Sequence, residues 1–147
     1  MKKVEFTKEI KAPAQKVWET LWNETTYPQW TSAFNPEGTS YMQSDWKVGG
    51  RTLFTDGSGN GMVSTIAEKA EPYTVVFEHL GMVKDGHEDT TSDEVKGWAG
   101  AKEEYHLAEN NGTTTLKASV EISEEWEDMM SNGFTQGLEV VRKLSEQ

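Results

Sequence analysis

Apolar residues recur at helical spacing at the end of this chain, but mostly at every second position between Ser40 and Ile122. From Ser123 to about Glu146 the stripe Trp126, Met130, Phe134, Leu138, Val141 and Leu144 predicts one long amphipathic helix. Ser123 is its expected N-cap. Glu124, Glu125, Glu127 and Asp128 sit at the positive end of the helix dipole, and Arg142 and Lys143 near the negative end. Gly133 and Gly137 flank the stripe. A mid-helix glycine costs about 1 kcal/mol relative to alanine, so the two mark either close backbone approach or space kept open. No second long helix is predicted, so this one must bury its apolar face against a sheet, and a space left between the two would make a container.

The alternating segments supply that sheet. Lys2 to Lys11 places Val4, Phe6 and Ile10 on one face. Tyr41 to Trp46, Arg51 to Thr55, Gly61 to Ala67, Thr74 to Leu80, Trp98 to Leu107 and Thr113 to Ile122 are six further strands, giving seven. Turn signals separate them at Gly49-Gly50, Asp56 to Gly61, Glu71-Pro72 and Asn110-Asn111-Gly112. Between strand one and strand two, Pro13 fits the first position of a short helix carrying Val17, Trp18, Leu21 and Trp22. A second short helical turn after Pro28 gathers Tyr27, Trp30 and Phe34. The acidic stretch between Gly81 and Gly97 has little periodicity and is expected as a long loop. The expectation is an α+β fold with a seven-stranded curved antiparallel sheet around a long C-terminal helix, two short helices following strand one, and a single domain spanning 1–147.

Charge narrows the partners. The chain has 147 residues, 25 acidic against 14 basic side chains and a net charge of -11, which disfavours nucleic acid and anionic lipid. There is no cysteine, hence no thiol chemistry. The N-terminus, MKKVEFTKEI, lacks the apolar core of a signal peptide, and no apolar run is long enough to span a membrane. A cytoplasmic location without membrane insertion is expected.

Several short motifs carry a family resemblance. IKAPAQKVWETL, with Ile10, Ala12, Pro13, Val17 and Trp18, resembles the opening of the first helix in the SRPBCC superfamily, which includes START-related lipid-transfer domains and the major birch pollen allergen. TYPQWTSAFNP, with Tyr27, Trp30 and Pro36, and DWKVGGRTLF, with Asp45, Val48, Gly49 and Gly50, are similar to the bacterial subfamily named after the C-terminal domain of the activator of the heat-shock protein 90 ATPase. Glu104-Tyr105, Gly112-Thr113 and Gly133-Phe134 extend that likeness along nearly the whole sequence. The resemblance implies a helix-grip fold, a ligand cavity beneath the long helix, and a link to chaperone activation and stress response. The eukaryotic activator carries an additional N-terminal domain that engages the chaperone, and this sequence is expected to have none before its first strand.

The leading functional expectation is binding of a small hydrophobic or amphipathic molecule between sheet and helix, without catalysis. Trp30, Phe34, Leu53, Met62, Phe77, His79, Tyr105, Trp126, Met130, Gly133, Phe134 and Gly137 form the candidate binding set. Alternation points Val75, Phe77 and His79 inward, and Val76, Glu78 and Leu80 outward. His79 or Tyr105 is the candidate polar anchor, although His79 also reads as a core histidine satisfied by the protein itself. Parity with Tyr105 aims Glu103 inward, but a bulge across Gly97 to Ala101 would reverse this, and the glutamate is expected at the surface. His87 and His106 are expected outside the cavity. No metal site or cofactor is expected, because no pair has ligand spacing. Two alternatives stand beside carriage: a protein-interaction or chaperone-cofactor domain contacting partners through the acidic loop, and a cavity enzyme of cyclase or hydrolase type.

Overall fold

A computed structural model describes residues 1–34 and 39–147. Pro36, in the motif that begins at Tyr27, lies outside the described residues. The chain runs β1 (Lys2–Ile10), α1 (Ala14–Trp22), α2 (Tyr27–Thr31), β2 (Tyr41–Ser44), β3 (Arg51–Thr55), β4 (Gly61–Ala70), β5 (Thr74–Lys84), β6 (His87–Asp89), α3 (Asp93–Lys96), β7 (Lys102–Asn110), β8 (Thr113–Ile122), a 3-10 turn (Glu124–Trp126) and α4 (Glu127–Ser145). The strands form one curved sheet in the order β1-β8-β7-β5-β4-β3-β2, with every named pair antiparallel and β6 attached to β5.

Two expectations about this sheet are corrected. There are eight strands among the described residues rather than seven, because the stretch read as a loop is ordered. β5 continues to Lys84, turns through Asp85 and Gly86, and returns as β6, after which Ser92 caps α3 by accepting from the Val95 N–H. Val95 is fully buried, and with Val63, Val76 and Val83 it stands apart from the principal core. Val76 is therefore buried although it faces outward, and Trp98 to Ala101 precedes β7 instead of opening it.

The helix α4 packs on α2, α1 and β1. Phe134, Leu138 and Val141 are buried as the stripe predicts, while Met130 and Leu144 are half-buried and Trp126 is 50 % exposed. The physical reason lies in the 3-10 turn. Its three residues per turn rotate Trp126 off a stripe that repeats at 3.6. Ser123 caps that turn in extended conformation but makes no side-chain capping bond. Pro13 stands at the N-cap of α1, one residue ahead of its expected place.

The helix glycines resolve as close approach. A Cβ at Gly137 would lie 2.7 Å from the Trp30 carbonyl oxygen and 3.1 Å from its Cε3, and one at Gly133 would overlap the Phe34 ring. These glycines seat α2 against α4, so their expected part in keeping a cavity open is corrected. Trp30 Nε1 donates to the Leu21 carbonyl at 2.9 Å, which ties α2 to α1. Phe34 and Phe6 lie against Phe134 with ring centroids at 5.0 and 4.8 Å.

Candidate functional site

Three adjacent strands bring a polar chain to the inward face of an otherwise apolar sheet. In β4, Ser64 lies between the inward residues Met62 and Ile66, and its register partner in β5 is His79. A register shift at Val63/Ser64 leaves Leu80 as the spare residue, 37 % exposed. The segment before β7 holds His79 by its backbone, since the His79 N–H donates to the Ala101 carbonyl and the Gly100 N–H to the His79 carbonyl. Glu103 and Tyr105 then extend inward from β7, opposite Phe77 and Val75.

The side chains connect in sequence. Ser64 Oγ lies 2.6 Å from His79 Nδ1, and His79 Nε2 lies 3.2 Å from Glu103 Oε1. The Tyr105 hydroxyl donates to Glu103 Oε2. Ser64 is fully buried and His79 is 7 % exposed, whereas the Glu103 side chain keeps 21 % exposure. Burial, reinforced by the negative charge of Glu103, pushes the Tyr27 and Tyr105 phenols well above their ordinary range, so both remain neutral donors at neutral pH.

Two neighbouring spaces flank the His79–Glu103 pair under the N-terminal half of α4. The outer cleft, about 240 Å³, is walled by Met1, Trp98, Val120, Ile122, Trp126 and Met130. The inner pocket, about 160 Å³, is walled by Tyr27, Trp30, Phe34, Phe54, Tyr105 and Phe134. Met62, His79, Glu103, Val120 and Met130 line both. Taken together as one channel, they offer mostly apolar walls with His79 and Glu103 common to both, a composition suited to holding one small molecule in a fixed orientation.

Of the expected set, Met62, His79 and Met130 border both spaces, Trp126 the outer one, and Trp30, Phe34, Tyr105 and Phe134 the inner one. Leu53 is corrected. Its register partner is Val63, on the opposite face, and Thr52 and Phe54 point inward instead, with Phe54 5.2 Å from Phe77 and 6.1 Å from His79. Phe77 is fully buried among Trp22, Trp46, Phe54 and Tyr105, which makes it core rather than wall. Gly133 and Gly137 lie beneath Phe34 and Trp30.

His79 faces inward as alternation requires, yet both ring nitrogens are occupied by Ser64 and Glu103. The group with acceptor capacity left toward the channel is Glu103, whose surface placement is corrected. The parity with Tyr105 and Leu107 that could have assigned it inward was present in the sequence. Ser64 was detectable in the same way, as a hydroxyl at an inward position. His106 is half-buried on the outer face, its Nε2 3.0 Å from Glu104, and His87 is exposed in β6. No group of three or more His, Asp or Glu side chains placed for a metal exists among the described residues, and none of their helices is long and apolar enough to cross a membrane.

Known proteins give a consistent picture of the fold. The profile of the family described as activator of Hsp90 ATPase homolog 1-like protein matches residues 11–145. The solution structure of the Aha1 dimer from Colwellia psychrerythraea is similar at 15 % identity over 99 % of this chain and 97 % of its own, with a TM-score of 0.72. Crystal structures of proteins from Chromobacterium violaceum (16 % identity, 100 % and 99 % coverage, TM-score 0.69) and Nitrosomonas europaea (17 %, 99 % and 94 %, 0.70) share the architecture. No curated protein matches the sequence.

Proposed function

Since the chain belongs to the family of activator of Hsp90 ATPase homolog 1-like proteins, we propose that it binds a small hydrophobic or amphipathic molecule in the channel between sheet and α4, without transforming it. The observation that carries this reading is the pair of mostly apolar spaces that share His79 and Glu103 as their polar lining. Hydrolysis by the serine is disfavoured because Ser64 is fully buried and borders neither space. The net charge of -11 fits a cytoplasmic carrier.

A second reading, an interaction domain of chaperone-cofactor type, draws on the family description and on the exposure of Met1, Trp126 and Met129. One experiment separates the two. The purified protein is titrated with a neutral naphthalene dye, alongside a Met130→Trp variant that fills the channel where its two spaces meet. Carriage predicts saturable one-to-one binding that the variant loses while remaining folded. Absence of saturable binding, or binding indifferent to the filling residue, overturns carriage.

A further inference from the structure

We infer that the channel selects a ligand whose polar end is a cation, an amine or amidine on an apolar or aromatic body, and that Glu103 receives it. This rests on the ligand-binding reading above and names the ligand's chemistry. An ionised carboxylate offers about four acceptor sites. His79 Nε2 and the Tyr105 hydroxyl take one on each oxygen of Glu103, leaving the others toward the channel that Glu103 lines on both sides.

The local charge balance points the same way. Among the described residues no lysine or arginine lies within ion-pair distance of Glu103, and its single such partner is His79. The other charged residues lining the outer cleft, Lys102 and Glu121, are of opposite sign, and the Lys102 backbone N–H donates to Glu121 at 2.8 Å. Glu103 therefore leaves a negative potential inside walls of thioether and aromatic groups, where a pair of charges attracts more strongly than in water. An anionic head would meet that potential unfavourably, and a neutral head would leave it uncompensated. The indoles of Trp98 and Trp126 at the outer end are surfaces on which a cation can stack during passage, and the net charge of -11 draws cations toward the protein.

The test holds the apolar body constant and changes the head. Binding of 4-phenylbutylamine, 4-phenylbutan-1-ol and 4-phenylbutanoate is measured by calorimetry at neutral pH. The amine is expected to bind about tenfold tighter than the alcohol, as a charge-assisted bond requires, with the carboxylate weakest. Glu103→Gln is expected to bring the amine down to the alcohol's affinity and leave the alcohol unchanged. An amine advantage that persists in Glu103→Gln overturns the assignment, because overall charge would then explain it. The wild-type series is repeated at about 1 M salt, where exposed charges are screened more than enclosed ones, so the result stands even if the variant fails to fold. Loss of the amine's preference there overturns the inference. Equal binding of all three heads, or tightest binding of the carboxylate, overturns the cation preference but leaves ligand binding intact; binding of none overturns both.

Discussion

Replacing His79 by phenylalanine should cost stability through two partners it abandons, and the coupling between them is measurable. Ser64 is fully buried, and among the described residues its hydroxyl pairs with His79 Nδ1 alone, at 2.6 Å. Leaving that hydroxyl unpaired costs about 1–3 kcal/mol. Glu103 loses its bond to Nε2, but its partial exposure lets water replace it, so roughly 1 kcal/mol or less is added. A total of roughly 1–4 kcal/mol corresponds to a fall of about 3–15 °C in Tm for a domain of this size. Ser64→Ala alone leaves the imidazole Nδ1 unpaired and should also destabilise. In the double variant neither orphan exists, so its loss should fall short of the sum by roughly 1–2 kcal/mol. Any strain from the slightly larger phenylalanine ring is present with and without Ser64 and cancels in the cycle. Urea unfolding of the four proteins gives each value. Additivity within about 0.5 kcal/mol, or an undiminished midpoint in His79→Phe, would refute the claim that the protein itself satisfies this histidine.

The helix glycines should separate by what each faces. Gly137→Ala meets the Trp30 backbone and should destabilise by about 1–2 kcal/mol net of its gain in helix propensity, whereas Gly133→Ala meets only the Phe34 ring, which can swing, and should be near neutral; thermal unfolding that ranks them in the reverse order defeats this reading of the α2–α4 contact. For acid stability, Arg142 and Lys8 lower the Glu139 carboxyl to about 2. A carboxyl depressed in the folded state stabilises above its unfolded value and loses that contribution as pH falls through the folded one. The stability difference between wild type and Glu139→Gln should therefore be largest above the ordinary glutamate range and close on approach to pH 2; a difference that stays constant across that window contradicts the pairing.

The long terminal helix and the inward face of β5 were legible because each carries several residues of one period, so no single misplaced side chain shifts the pattern. Leu53 shows where that protection ends. β3 has only five residues, its apolar pair Leu53-Phe54 fits either parity, and the register that decides comes from Met62 and Ser64 across the strand pair. Glu103 was obscured by a local ambiguity, since the backbone between Gly97 and Ala101 follows α3 as a turn before strand geometry resumes at Lys102. The β6–α3 excursion was illegible for a different reason. Its three-residue strand is held by pairing to β5 and carries no apolar alternation of its own. The close approach of Trp30 to Gly137 is a contact between distant segments, and local periodicity cannot report it.

The partnership of β1 with β8 sets a timetable for making the protein. Lys2 lies opposite Ile122 and Ile10 opposite Thr114, so β1 finds its neighbour only when every element between them has been made. The β3–β4–β5 meander can pair from contacts close in sequence, but α1 and α2 have no α4 to rest on until the residues beyond β8 have been made. Closing so long a loop is slow relative to hairpin formation. Until β8 is made, the facing edges of β1 and β7 stay open, and these are the surfaces that chaperones or neighbouring nascent chains would meet.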